Sequence, residues 1–78
     1  MTDILWTRAI LDEFKHLALL TEFEEMVLDS KIKGWSRTKQ AIEFNCSIST
    51  IDRTLKQLRI KYDNVCKYSD LLPPRRQK

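Results

Sequence analysis

Residues 37–55 of this 78-residue chain read RTKQAIEFNCSISTIDRTL, and this stretch decides the fold. Its first part predicts a helix over residues 37–44 with Ser36 as the N-cap, because hydroxyl side chains accept hydrogen bonds from the free N–H groups of a first helical turn. The apolar members of this helix are Ala41, Ile42 and Phe44. Asn45 ends the pattern, because asparagine adopts left-handed backbone more readily than most residues. A short helix followed by a tight turn is therefore expected.

A second helix is predicted over residues 48–61, with Ser47 or Ser49 as its N-cap. Its apolar residues recur at steps of three and four, which is the spacing of one helical face, and they are Ile48, Ile51, Leu55, Leu58 and Ile60. Two helices separated by about three residues form the frame of a helix-turn-helix.

The N-terminal segment predicts a helix over residues 3–19, with Thr2 or Asp3 as the N-cap. Its apolar residues at helical spacing include Trp6, Ile10, Phe14 and Leu17, and Trp6 is expected in the core. The apolar face is wide. Such a face indicates either a helix that touches several others or one that also meets a second subunit.

The next helix is predicted over residues 22–32 and begins with a capping-box pattern, in which Thr21 and Glu24 each accept a hydrogen bond from the other's backbone N–H. Gly34 suits the C-terminal end of this helix. The side chains expected to be buried are Phe23, Met26, Val27 and Ile32. Trp35 is expected to pack over the junction with the following helix.

The predicted fold is a small all-α, four-helix domain containing a helix-turn-helix. It spans residues 1–72, and residues 73–78 form a flexible, irregular basic tail, because Pro73 stops any helix. A short turn packed on the domain is expected before this tail from Val65, Tyr68, Leu71 and Leu72.

Acidic and basic residues are divided between the two halves of the chain. Residues 1–30 carry two basic and seven acidic residues, a net charge of −5, whereas residues 31–78 carry twelve basic and four acidic residues, a net charge of +8. The basic half is expected to meet a polyanion. The charge pattern alone equally fits a solvated surface.

Several classes of function are not expected from this sequence. Cys46 and Cys66 lack zinc-ligand spacing, and the single histidine is expected to have a surface or packing role. The two thiols allow a disulfide by number, but a reduced, cytoplasmic setting is favoured. No apolar run approaches the ~20 residues that span a bilayer. No nucleophile with a base and no glycine-rich phosphate loop is visible. We therefore expect no enzyme, metal, cofactor, small-molecule substrate or membrane partner.

Residues 37–61 resemble the helix-turn-helix of Cro-type phage repressors. With Gly34, Trp35 and Ser36 ahead of them, they also resemble the C-terminal promoter-recognising region of sigma factors and the LuxR-type regulators. Those families place a small residue within the first helix, a glycine in the turn, a hydrophobic residue after it and a β-branched anchor in the second helix; the corresponding residues here are Ala41, Asn45, Cys46 and Ile51. Three departures are Asn45, where a glycine is common in the turn, Ile48, where a polar base-reading residue is common, and Asp52, which places an acid in the interface.

The resemblance implies that the chain binds double-stranded DNA in the major groove, as a bacterial or phage transcription regulator. The candidates for reading bases are Ser49, Arg53, Ile48 and Asp52. Arg53 leads, because a guanidinium bonds guanine in two places; the alternative is an ion pair with Asp52 or Glu43. The candidates for phosphate contacts are Arg37, Thr38, Lys39, Ser47, Lys31, Lys33 and Lys56.

Partners beyond DNA follow from the size of the motif. One helix-turn-helix offers an interface of only about 600–1,000 Å², so we expect a homodimer through the N-terminal helix or a larger protein partner. Two alternatives stay open at this point. One is a helical protein-interaction module associated with a polymerase or with phage assembly, and the other is the DNA-recognition subunit of a phage packaging or recombination machine.

Overall fold

The computed structural model describes residues 6–73, which form four helices and no strand. The helices are α1 (Arg8–Ala18), α2 (Glu22–Ile32), α3 (Arg37–Glu43) and α4 (Ile48–Cys66). The predicted all-α, four-helix fold is thus confirmed. With 19 residues α4 is the longest element, and it packs against each of the other three. It therefore forms the central support of the molecule.

Each helix begins at a serine or threonine whose side chain accepts a hydrogen bond from the backbone N–H three residues later; these N-caps are Thr7, Thr21, Ser36 and Ser47. The predicted capping box is present: Glu24 N–H donates to Thr21 Oγ1 at 3.1 Å and Thr21 N–H donates to Glu24 Oε1 at 3.0 Å. Of the two candidates for the start of α4, Ser47 is the cap, and Ser49 lies within the first turn.

Two predicted boundaries were wrong. Helix α1 begins at Arg8 rather than at residue 3, because the Thr7 side chain caps it by accepting from Ile10 N–H at 3.2 Å. Helix α4 continues five residues beyond the predicted end at Lys61, because neither glycine nor proline interrupts it and Tyr62 extends its buried face. Residues 1–5 and 74–78 lie outside the described range, so the caps Thr2 and Asp3 and most of the predicted basic tail lie outside it too.

The connections after α2 and α3 have the same construction. Gly34 has a φ of +94° and Asn45 a φ of +58°, both left-handed. After α3, Cys46 N–H donates to the carbonyl of Ala41 at 2.9 Å and Asn45 N–H donates to that of Ile42 at 3.3 Å. This pair of bonds is a Schellman motif, which satisfies carbonyls left free at a helix C-terminus. The motif fixes the direction in which the chain leaves α3 for α4.

The core lies between the helices and is formed by Phe14, Val27, Leu28, Ala41, Ile51, Leu55, Leu58, Tyr62 and Leu72. Near the C-terminal half of α4, the ring of Tyr62 lies 5.2 Å from that of Phe14 and 5.8 Å from that of Trp6, between ring centres. The Tyr62 hydroxyl donates to the carbonyl of Pro73. The aromatic cluster thereby joins α1, α4 and the segment that follows α4, and Trp6 belongs to it as predicted.

Met26 and Ile32, which were expected to be buried, are exposed, and so are Tyr68 and Leu71, which were expected to pack on the domain. Ile42 and Ile60, apolar members of α3 and α4, are exposed as well. Two polar residues are buried in their place. Gln40 Nε2 donates to Ser30 Oγ at 2.8 Å and to the carbonyl of Val27 at 3.1 Å, which joins α3 to α2. The buried residues of α2 are therefore Val27, Leu28 and Ser30, and Met26 is exposed.

Candidate nucleic-acid interface

Phe44, the C-cap of α3, places α3 relative to α2. Its ring stacks on that of Trp35 with 5.9 Å between centres and meets the edge of Phe23 in α2 at 6.1 Å. Trp35 thus packs at the junction of α2 and α3, as predicted. Lys39 Nζ lies 4.8 Å from the centre of the Trp35 ring, within the range of a cation–π contact. The start of α3 is therefore supported by aromatic packing.

Helix α4 separates its residues into two faces. Ile51, Leu55, Leu58 and Tyr62 are buried. At 100° per residue, the opposite side carries Ser49, Arg53 and Lys56, and all three are exposed. Gln57 and Ile60 continue this outward side and are also exposed. We name the exposed side chains of Ser49, Arg53, Lys56 and Gln57 the outward face of α4.

Arg53 and Lys56 make no ion pair within residues 6–73, so the sequence alternative in which Arg53 pairs with Asp52 or Glu43 is wrong. Their charged groups are available to an outside partner. Gln57 was missed by sequence reasoning, although its position four residues after Arg53 places it on the same side. Glutamine is able to bond adenine in two places, so Gln57 joins the candidates for reading bases.

Arg37 is paired with Asp52. Arg37 Nη1 donates to Asp52 Oδ1 at 2.8 Å and to Oδ2 at 3.0 Å, which links the first residue of α3 to the second turn of α4. The two side chains stay 58% and 47% exposed. The hydrogen bond to Asp52, followed by the attraction of its charge, raises the pKa of Arg37. Arg37, a predicted phosphate contact, and Asp52, a predicted base contact, are therefore hydrogen-bonded to each other.

The other predicted contacts lie in three places. Thr38 is exposed in the first turn of α3, and Lys33 is exposed after α2, where it lines a surface depression together with Trp35; Lys31 is half-buried. Ser47 Oγ accepts from Thr50 N–H at 3.1 Å, so its oxygen is engaged as a cap. Ile48 is 44% exposed beside the turn. Lys33 and Lys39 thus both lie near Trp35, whereas Lys56 belongs to α4.

The apolar side of α1 is used inside the molecule. Phe14 is buried, and Trp6, Ile10, Leu11 and Leu17 pack against the core. Asp12 and His16 are exposed on the other side. The apolar residues of α1 pack against the core, and α4 is the helix that α1 chiefly contacts. A homodimer through this helix stays a prediction.

Within residues 6–73, no group of histidine, cysteine and acidic side chains is arranged to hold a metal ion. No helix in this part of the chain has the length and apolar character needed to cross a membrane. Cys46 and Cys66 are free thiols, so the disulfide that their number allowed is not formed.

The chain matches no protein-family model, no curated protein and no solved structure. The resemblance of residues 37–61 to helix-turn-helix regulators therefore stays a prediction.

Proposed function

We propose that the protein binds double-stranded DNA with α3 and α4 acting as a helix-turn-helix and with α4 in the major groove. The observation that carries this proposal is the outward face of α4, where exposed Arg53 and Lys56 follow Ser49 within three turns of the helix start. A recognition helix presents side chains near its N-terminus to base edges. Arginine is the side chain that most often bonds guanine there.

The distribution of ion pairs supports the same proposal. Two acidic residues of the first half are engaged inside the molecule, since Asp29 lies 3.0 Å from Lys15 Nζ and Glu24 lies 2.6 Å from Lys61 Nζ. The outward cations of α4, in contrast, have no acidic partner in the described part of the chain. Unpaired cations attract a phosphate backbone and release its counterions.

Each side chain has a distinct role in the proposal. Arg53 bonds a guanine, Ser49 and Gln57 bond neighbouring base edges, and Lys56 contacts phosphate. Lys33 and Lys39 contact the backbone from the α2–α3 junction. Because one such module gives a small interface, the proposed form is a homodimer whose recognition helices lie about 34 Å apart. Its proposed task is transcription regulation in a bacterium or phage.

A salt titration with two matched variants tests the proposal. The double variant Arg53→Ala/Lys56→Ala removes two charges from the outward face of α4, and Arg8→Ala/Lys67→Ala removes two exposed charges from the start of α1 and the end of α4. Binding to a fluorescent duplex of random sequence is measured by anisotropy between about 50 and 200 mM salt.

The dependence of log Kd on log salt should flatten by roughly 0.9 in the first variant, because the phosphate contact of Lys56 is lost and each such contact contributes about 0.9. The second variant should keep the wild-type slope within roughly 0.3. Two results would overturn the proposal. One is absence of binding by the wild-type protein at the lowest salt, and the other is an equal loss in both variants, which would indicate a general charge effect.

A second function is favoured by one observation. Ile42 is 71% exposed on α3 and Ile48 is 44% exposed at the start of α4, which places two large apolar side chains on the elements proposed to meet DNA. An apolar contact of this kind suits a protein partner. A protein-interaction module would bind duplex DNA feebly and independently of Arg53, so the titration above separates the two functions.

A further inference from the structure

Asp52 is the one acidic side chain of α4 that shares its first two turns with the proposed contacts. It directly precedes Arg53 and lies one helical turn before Lys56. Its two carboxylate oxygens lie 2.8 and 3.0 Å from Nη1 of Arg37. A carboxylate at this place repels a phosphate backbone, and it also binds Arg37, the first residue of α3.

We propose that Asp52 is a specificity-determining residue, which holds Arg37 away from phosphate and so keeps the affinity for random DNA low. This inference rests on the proposed function, and it concerns how the same surface discriminates against DNA of random sequence. Tight binding then requires a site that compensates Asp52. Cytosine does so, because its amino group donates to an acidic side chain in the major groove.

Competition for the guanidinium is the physical basis of this role. Carboxylate and phosphate oxygens both accept charge-assisted hydrogen bonds from arginine. In the free protein the Asp52 carboxylate accepts both of its hydrogen bonds from Nη1 of Arg37, so a phosphate has to compete with Asp52 for the charge of the guanidinium. The pair is about half exposed, and exposed pairs are weak enough to be exchanged. Whether Arg37 contacts phosphate on DNA therefore depends on whether the base pair next to Asp52 donates a hydrogen bond to its carboxylate.

The salt dependence of binding measures this competition, because it reports how many phosphates the protein neutralises. While Arg37 neutralises Asp52 it neutralises no phosphate, so it contributes nothing to the salt dependence of binding to random DNA. Releasing it adds one phosphate contact, which steepens the dependence of log Kd on log salt by about 0.9. Across a fourfold change in salt, this contact alters the affinity by roughly 3.5-fold.

The experiment compares four variants by the same anisotropy titration on random duplex. Asp52→Asn should bind more tightly than wild type, with the slope steeper by about 0.9. Glu43→Gln is the matched control, because Glu43 is an exposed acid on α3 with no ion pair among the described residues; its slope should stay unchanged. Arg37→Ala should leave the wild-type slope unchanged, yet Arg37→Ala/Asp52→Asn should lose the steepening seen in Asp52→Asn.

Each result separates this inference from the proposed function. If Arg37→Ala flattens the slope in the wild-type background, Arg37 contacts phosphate despite Asp52, and the role of Asp52 is refuted while DNA binding stands. Equal behaviour of Asp52→Asn and Glu43→Gln refutes it in the same way. Absence of duplex binding by wild type and by all variants overturns the DNA proposal and this inference together. Even if Asp52→Asn folds poorly, a flattened slope in Arg37→Ala refutes the inference.

Discussion

Glu24 connects the N-terminus of α2 to the middle of α4, and its replacement by alanine removes two kinds of interaction at once. The side chain is only 12% exposed, and its Oε1 accepts hydrogen bonds from Thr21 N–H and from Lys61 Nζ. The lost half of the capping box costs about 1 kcal/mol. The charge-assisted bond to Lys61 adds about 1.5 kcal/mol, at the low end of its range because Lys61 is able to regain water. We therefore expect Glu24→Ala to lower the free energy of unfolding by about 2.5 kcal/mol.

In a domain of this length, each kcal/mol lowers the melting temperature by about 4–8 °C, so Glu24→Ala should lose roughly 10–20 °C. Glu24→Gln keeps a carbonyl oxygen for Thr21 and loses only the charge, and it should lie between wild type and alanine. Glu22→Ala is the control: Glu22 is exposed in the same turn, and its removal costs only the helix-dipole contribution of about 0.5 kcal/mol. Circular dichroism during thermal and urea unfolding measures all four proteins.

The pKa of Glu24 determines how the stability difference between wild type and Glu24→Gln depends on pH. Burial raises the pKa of Glu24, but hydrogen bonds from Lys61 and from Thr21 N–H, with the Lys61 charge, lower it further, and the net pKa is below its ordinary 4.5. A carboxyl whose pKa is lowered by folding stabilises the protein above its unfolded pKa and loses that contribution as the pH falls through the folded pKa. The gap between wild type and Glu24→Gln should therefore be full at pH 7 and shrink below about pH 4.5. A gap that persists undiminished at pH 3, or a Glu24→Ala protein within about 0.5 kcal/mol of wild type, would refute the reasoning.

Three further substitutions test the packing and the turns. Phe14→Ala empties a fully buried site against the rings of Trp6 and Tyr62 and should cost about 3–5 kcal/mol, so a loss below roughly 1 kcal/mol in urea unfolding would mean that the aromatic cluster is loose. Gly34→Ala adds a Cβ with no atom within 4 Å, so the expected loss of about 1 kcal/mol comes from the left-handed φ alone; an unchanged urea midpoint would show that the turn relaxes. Tyr62→Phe removes the hydroxyl that donates to the carbonyl of Pro73 and should cost about 1 kcal/mol, with faster amide exchange after α4; equal exchange in both proteins would contradict this.

The parts of the fold that the sequence predicts correctly are those determined by neighbouring residues. Helix α2 spans the predicted residues 22–32. The capping box of Thr21 and Glu24 defines its start and Gly34 defines its end, and these residues lie next to the helix ends in sequence. The start of α1 was wrong because the segment offers three cap-forming residues, Thr2, Asp3 and Thr7, and the sequence pattern alone does not choose between them. The end of α4 was wrong because the burial of Tyr62 depends on contacts with α1.

The candidate site shows the same division. The exposure of Ser49, Arg53 and Lys56 follows from helical spacing against the buried stripe of α4, and the structure agrees with it. The pairing of Arg37 with Asp52 joins residues fifteen positions apart on two helices, and no local pattern specifies it. Gln40 is buried although glutamine is usually exposed. Its burial depends on the partner atoms that α2 supplies.

The two faces of α4 have a consequence for how this protein can evolve. The residues that hold the fold together and the residues that meet an outside partner share one helix, yet they lie on opposite sides of it. Changes at Ser49, Arg53, Lys56 or Gln57 remove no core contact, and surface changes of this kind usually alter stability by less than about 0.5 kcal/mol. Target preference is therefore free to drift without loss of the scaffold. Asp52 is the exception, because any change there also alters how α3 is attached to α4.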